Sequence, residues 1–131
     1  MSRSGYTDDC ENIALYRNAV DRAIGGKRGQ AFLREMAAAL DAMPVKELVV
    51  NELVRHDGQA CALGVVALAR GFDASEIDES DPDEVAARFG IARSLAAEIA
   101  YENDDEWGSG NDTPAQRWTR MRAWVRNAVR Q

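Results

Sequence analysis

The chain is 131 residues long with 46% hydrophobic residues, enough to fill one core within one domain spanning 1–131. Its formal net charge of -6 repels nucleic-acid phosphates on average, although it does not forbid a local basic patch. No run approaches the roughly 20 apolar residues that cross a bilayer, and the polar opening MSRSGYTDDCEN lacks the apolar stretch of a secretory signal.

The spacing predicts a first helix over about 9–24. Asp8 and Glu11 resemble a capping box, Ile13, Tyr16, Val20, Ala23 and Ile24 share one face, and Gly25-Gly26 ends it. After the glycine-rich turn GGKRGQ, a second helix runs over about 30–43. Phe32, Leu33, Met36, Leu40 and Met43 form its buried stripe, and Pro44 stops it. The next stretch, VKELVVNELVRHDGQACALG, has two readings. Leu48, Val49, Glu52 and Leu53 fit helical spacing. The β-branched Val49, Val50 and Val54 with the Asp57-Gly58 turn signal favour a small hairpin, with strands near 48–54 and 59–62. The hairpin is the preferred expectation. LGVVALARG then reads as a short buried helix closed by Gly71.

Between Asp73 and Glu84 there are seven acids and no base. Asp81 is a good N-cap, Pro82 a good first helical residue, and Glu84 sits at the third position, so a helix of two turns reaches Phe89 and Gly90. Another helix follows over about 92–102, with Leu95 and Ile99 inward. The polar loop NDDEWGSGND gives way to TPAQ, where Thr113, Pro114 and Gln116 make a capping box for a last helix. Trp118, Met121, Trp124, Val125, Ala128 and Val129 supply its apolar face, and Arg117, Arg120, Arg122, Arg126 and Arg130 much of the rest. If the core left that stripe exposed, a symmetric homodimer would cover it. The expected architecture is mainly α: a helical bundle, with or without one small hairpin.

Four features bear on chemistry. VAARFGIARSLAAEI, residues 85–99, has the outline of a helix-turn-helix that would present Arg93 and Ser94 to DNA, or of a plain helical corner. One arginine is thin cover for a groove, and the neighbouring acids oppose approach to phosphates. Lys27 and Arg28 beside glycines at a helix start are a candidate anion contact, without the glycine spacing or Ser/Thr of a Walker loop. The acidic run reads as a solvated capping segment or as a surface for a partner. Its candidate contacts are Asp73, Glu76, Asp78, Glu79, Asp81 and Asp83, joined by Asp104, Asp105, Glu106 and the loop Trp107. Nucleophilic chemistry looks poor. His56 is the one histidine and lies in a turn, Cys61 has apolar surroundings that disfavour its thiolate, and Cys10 has no partner nearby in sequence. Cysteine and histidine are too few for a zinc site, and neither run has the regular oxygen spacing of a calcium loop. No catalytic residue, metal or cofactor is therefore expected.

The strings SRSGYTDD, GKRGQAFLREMAAALDAMP, CALG, IAYENDDEW and TPAQRWTRMRAWV, in that order, resemble those of small proteins encoded by temperate phages and prophages of proteobacteria. The likeness implies a bacterial cytoplasm and a mobile genetic element, and it assigns no functional residue. Residues 57–105 hold twelve acids and three bases. The sequence thus predicts a non-enzymatic protein-binding module that modulates or inhibits host machinery, host defence included, through its acidic surface. Its partner would be a host or phage protein rather than nucleic acid or a membrane. A DNA-binding regulator using 85–99 is the alternative.

Overall fold

The computed structural model describes residues 10–104 and 112–130. Their order is α1 (Cys10–Gly25), α2 (Lys27–Ala42), α3 (Ala62–Arg70), a 3-10 turn (Ala74–Glu76), α4 (Pro82–Phe89), α5 (Arg93–Asp104) and α6 (Pro114–Ala128). The molecule is a helical bundle with no strand among the described residues.

Helix α2 packs against α1, α3 and α6, while α5 packs against α1, α3, α4 and α6, so these two helices organise the core. Leu33, Met36 and Leu40 of α2, Val66 of α3, Leu95 and Ile99 of α5, and Met121 and Val125 of α6 are completely enclosed. Of the α6 stripe, Met121 and Val125 are enclosed within the monomer, and Trp118, Trp124, Ala128 and Val129 are partly buried against the core. Trp118 is half-buried, and its indole N–H donates to the Leu40 carbonyl at 3.2 Å.

The end signals act where local chemistry predicts. Asp81 accepts from the N–H groups of Asp83 and Glu84 with Pro82 beside it, and Gly90 closes α4 at φ 73°. Thr113 and Gln116 form the reciprocal capping box of α6. Gly71 closes α3 at φ 79°. The Asp8–Glu11 box and the side chain of Ile13 lie outside what is described.

Two expectations are corrected. Helix α2 begins at Lys27, not near Gln30, so Lys27 and Arg28 belong to its first turn. The corner between α1 and α2 is that tight because Gly29 has no side chain: a Cβ there would stand 1.8 Å from the Ala23 carbonyl oxygen. The second correction concerns the hairpin. Residues 43–61 form an irregular loop with one antiparallel bridge, Val54 to Ala60, around the Asp57-Gly58 turn. Asn51 adopts φ 67°, which breaks the extended run that Val49 and Val50 favour. Leu48, Val49 and Leu53 then turn into the core instead of alternating across a sheet.

The loop is held by polar groups from distant elements. The Asn103 amide, 1% exposed, donates to the Val49 carbonyl at 2.9 Å and accepts from the Ala62 N–H at 3.0 Å. It thereby serves the loop and the first turn of α3 together.

Candidate functional site

The acidic segment is built from short-range turns. The Asp73 carboxylate accepts from the Ser75 N–H at 2.9 Å and its hydroxyl at 2.6 Å, opening the 3-10 turn. Asp78 repeats the pattern with Ser80, at 3.0 and 2.6 Å. Glu84 accepts from the Asp78 N–H. The serine side-chain bonds, with the backbone bonds behind them, hold the Asp73 and Asp78 carboxyls below their ordinary range. Ala74 and Ile77 are buried and pin the segment to the core, while Glu79 reaches the Leu53 N–H at 2.8 Å. All seven carboxylates from Asp73 to Glu84 belong to exposed residues. The result is a fixed ridge whose acids shape its backbone and still face solvent.

The other predicted contacts are divided. Asp104 is half-buried and accepts from the Asn51 N–H at 3.3 Å and the Asn103 amide at 3.1 Å, so it braces the 43–61 loop. Asp105, Glu106 and Trp107 lie outside the described residues, as does the side chain of Cys10. Lys27 and Arg28 are exposed on the first turn of α2.

Helices α4 and α5 do meet at a glycine corner, but α5 is the central helix of the bundle rather than a projecting one. Arg93 pairs with Asp83 at 3.0 Å, and the Ser94 hydroxyl donates to the Ala19 carbonyl of α1 at 3.4 Å. Much of the arginine face of α6 is likewise engaged. Arg122 makes a two-pronged contact with Asp41 at 2.7 and 2.9 Å. Arg120 binds Asp112 at 2.9 Å and donates to the carbonyls of Glu102 and Asn103, closing the C-terminus of α5.

Arg117, grouped by the sequence with the arginines beside the apolar face of α6, is a buried residue. It is 6% exposed; one arm donates to the Leu48 carbonyl at 3.1 Å and the other to Asp112 Oδ1 at 2.7 Å. Its Nε has no hydrogen-bond partner. The readable signal was its register: 117, 121 and 125 share one face of a helix, and that face carries Met121 and Val125. An open cleft of about 390 Å³ lies beside it, lined by Val49, Val50, Glu52, Arg55, His56, Pro114 and Arg117. Arg55 in that wall pairs with Glu52 and Asp57 at 3.8 and 3.5 Å. Among the described residues that line the cleft, none carries a hydroxyl or thiol side chain.

Cys61 caps α3, its sulfur accepting from the Gly64 N–H at 3.5 Å. It is a free thiol, and burial pushes its pKa up to about 12, far from the thiolate range a nucleophile needs. Among the described residues no three His, Cys, Asp or Glu side chains are grouped to hold a metal ion, and no helix is long and apolar enough to cross a membrane. Comparison with protein-family models, with curated proteins and with solved structures finds no match to this chain.

Proposed function

We propose that the chain is a non-enzymatic protein-binding module that presents the ridge 73–84 to a cationic or neutral surface of another protein. The observation that carries this reading is the ridge itself. Four of its seven exposed carboxylates, those of Asp73, Asp78, Asp81 and Glu84, are held by hydrogen bonds within the segment, so little of their ordering entropy remains to be lost on binding. A concentrated negative field also steers encounter with a positive partner. With the resemblance to phage-encoded proteins, the reading becomes a modulator of bacterial host machinery acting in the cytoplasm.

The helix-turn-helix alternative draws support from the Gly90 corner alone. Using α5 as a reading helix would require releasing it from the helices around it.

The test exploits the fact that asparagine caps as well as aspartate. A D73N/E76Q/D78N/D81N/D83N variant removes five of the seven negative charges of the ridge while keeping the caps. Nuclease-treated proteobacterial lysate, captured on the native chain and read by mass spectrometry, should yield a partner that the discharged variant retains at least tenfold less well. Native capture should weaken with added salt. Equal capture by the variant rejects the proposal.

A further inference from the structure

The cations of this acidic chain fall into two populations. Across the described residues, Arg55, Arg70, Arg93, Arg117, Arg120 and Arg122 each pair with a carboxylate. Arg88 lies over the Phe72 ring and Lys46 over Trp118. The remaining cations include a group at one corner of the bundle, where no described carboxylate meets them.

That corner is assembled by Gln30. Its buried amide donates to the Ile24 carbonyl at the end of α1, at 2.7 Å, and to the Ala128 carbonyl at the end of α6, at 3.0 Å. Its oxygen accepts from the Arg130 N–H at 2.7 Å. Arg34 donates to the Arg130 carbonyl at 2.6 Å. The end of α1, the start of α2 and the end of α6 are thereby drawn together. Segments 22–34 and 126–130 contain six basic residues and no acid: Arg22, Lys27, Arg28, Arg34, Arg126 and Arg130. All six are exposed. Two acids adjoin them, Asp21 next to Arg22 and Glu35 next to Arg34, and the carboxylate of Glu35 is taken by Arg70 at 2.6 Å.

We infer that this corner is a contact surface for the phosphate backbone of nucleic acid, separate from the acidic ridge and independent of α5. Three observations favour phosphates over an acidic protein. Five of the six cations are arginines, whose planar fork grips phosphate oxygens in pairs. The positive end of α2 lies within the patch, behind Gly26, which offers no side-chain cap. Among the described residues the large exposed hydrophobics, Leu15, Val45 and Leu68, all fall outside these two segments, so the segments lack the apolar anchor that protein interfaces use. The net charge of -6 does not decide the matter, because screening limits each charge to roughly 8 Å at physiological salt. A phosphate at the corner meets the local cations first. Binding would be indifferent to base sequence, since no element here enters a groove.

The test uses fluorescence anisotropy of the full chain with a labelled random-sequence DNA duplex, a matching RNA duplex and a labelled polyglutamate. If four of the six cations touch phosphates at once, duplex affinity falls about 150-fold between roughly 50 and 200 mM salt. The K27Q/R28Q/R126Q variant should lose at least tenfold in affinity at the lower salt and show a flatter salt dependence. Its melting temperature should stay within about 2 °C of the parent, because these side chains are exposed and have no partner to lose. R28Q alone, the milder change, should show a smaller loss in the same direction. Binding of either duplex on these terms supports the inference and identifies the nucleic acid. Absence of duplex binding at low salt, unchanged affinity in both variants, or tighter capture of polyglutamate overturns it.

Discussion

Replacing Asn103 by leucine gives the sharpest test of how the 43–61 loop is held. The two side chains branch at the same carbon with the same number of heavy atoms, so leucine can take the asparagine rotamer, and the extra bulk of its methyls adds to the loss. The substitution removes the acceptor for the Ala62 N–H and the donor to the Val49 carbonyl, which are bonded at 3.0 and 2.9 Å in a residue that is 1% exposed. Each buried group left unsatisfied costs about 1–3 kcal/mol. Part of that is offset, because leucine has no amide of its own to bury, and the net is about 3 kcal/mol. For a chain of this length the entropy of unfolding converts that loss to about 10 °C in melting temperature. Circular dichroism melts at fixed pH would read it, and urea midpoints should agree. Asn103→Asp keeps the acceptor for Ala62 and loses the donor to Val49, so near neutral pH it forfeits that bond and also buries a charge beside Asp104. It should recover stability as the pH is lowered and the new carboxyl takes up a proton. A fall of less than about 3 °C for Asn103→Leu would show that other contacts hold the loop, and the reasoning would fail.

Other consequences can be checked on the same protein. Gly64→Ala would place a Cβ 1.7 Å from the Leu53 carbonyl oxygen, a backbone atom that cannot swing aside, and should cost about 3 kcal/mol or more in urea unfolding. In a Cys10→Ser background, Cys61 should resist a thiol reagent at about pH 8 and react once urea is added, since its burial and its pKa of about 12 both suppress the thiolate. The hydrogen bond from Arg70 holds the Glu35 carboxyl below its ordinary value of 4.5. That stabilisation is complete above the unfolded value and disappears as the pH falls through the lowered folded one. Glu35→Gln should therefore be less stable than the parent at about pH 6, and the gap should close towards about pH 3 in urea titrations.

What could be read from the sequence was whatever a few neighbouring residues decide. Asp81-Pro82, Thr113-Pro114 with Gln116, Gly71 and Gly90 mark helix ends because their caps involve partners within a turn or so. The loop 43–61 was misread because Val49, Val50 and Val54 favour extended backbone locally, whereas Asn103 and Glu79, tens of residues away, hold that backbone. The acidic ridge was visible as composition, but its turn chemistry emerges only when Asp73 and Asp78 are seen bonded to serines two residues on. The basic corner was half legible: Lys27 and Arg28 stood out, yet nothing local connects them to Arg126 and Arg130. That connection passes through Gln30, whose polar side chain hides a place at the edge of the Leu33 and Leu40 face.

The reach of Gln30 also governs when the molecule can finish folding. Its partners at and just beyond the end of α6 lie 98 and 100 residues further along the chain. While a ribosome is still making the middle of the protein, this amide can find only the nearby Ile24 carbonyl. The face of α2 that α6 will cover stays open to water, and to chaperones, until residue 130 has emerged. The bundle should then close in one late step, with the last helix acting as its latch.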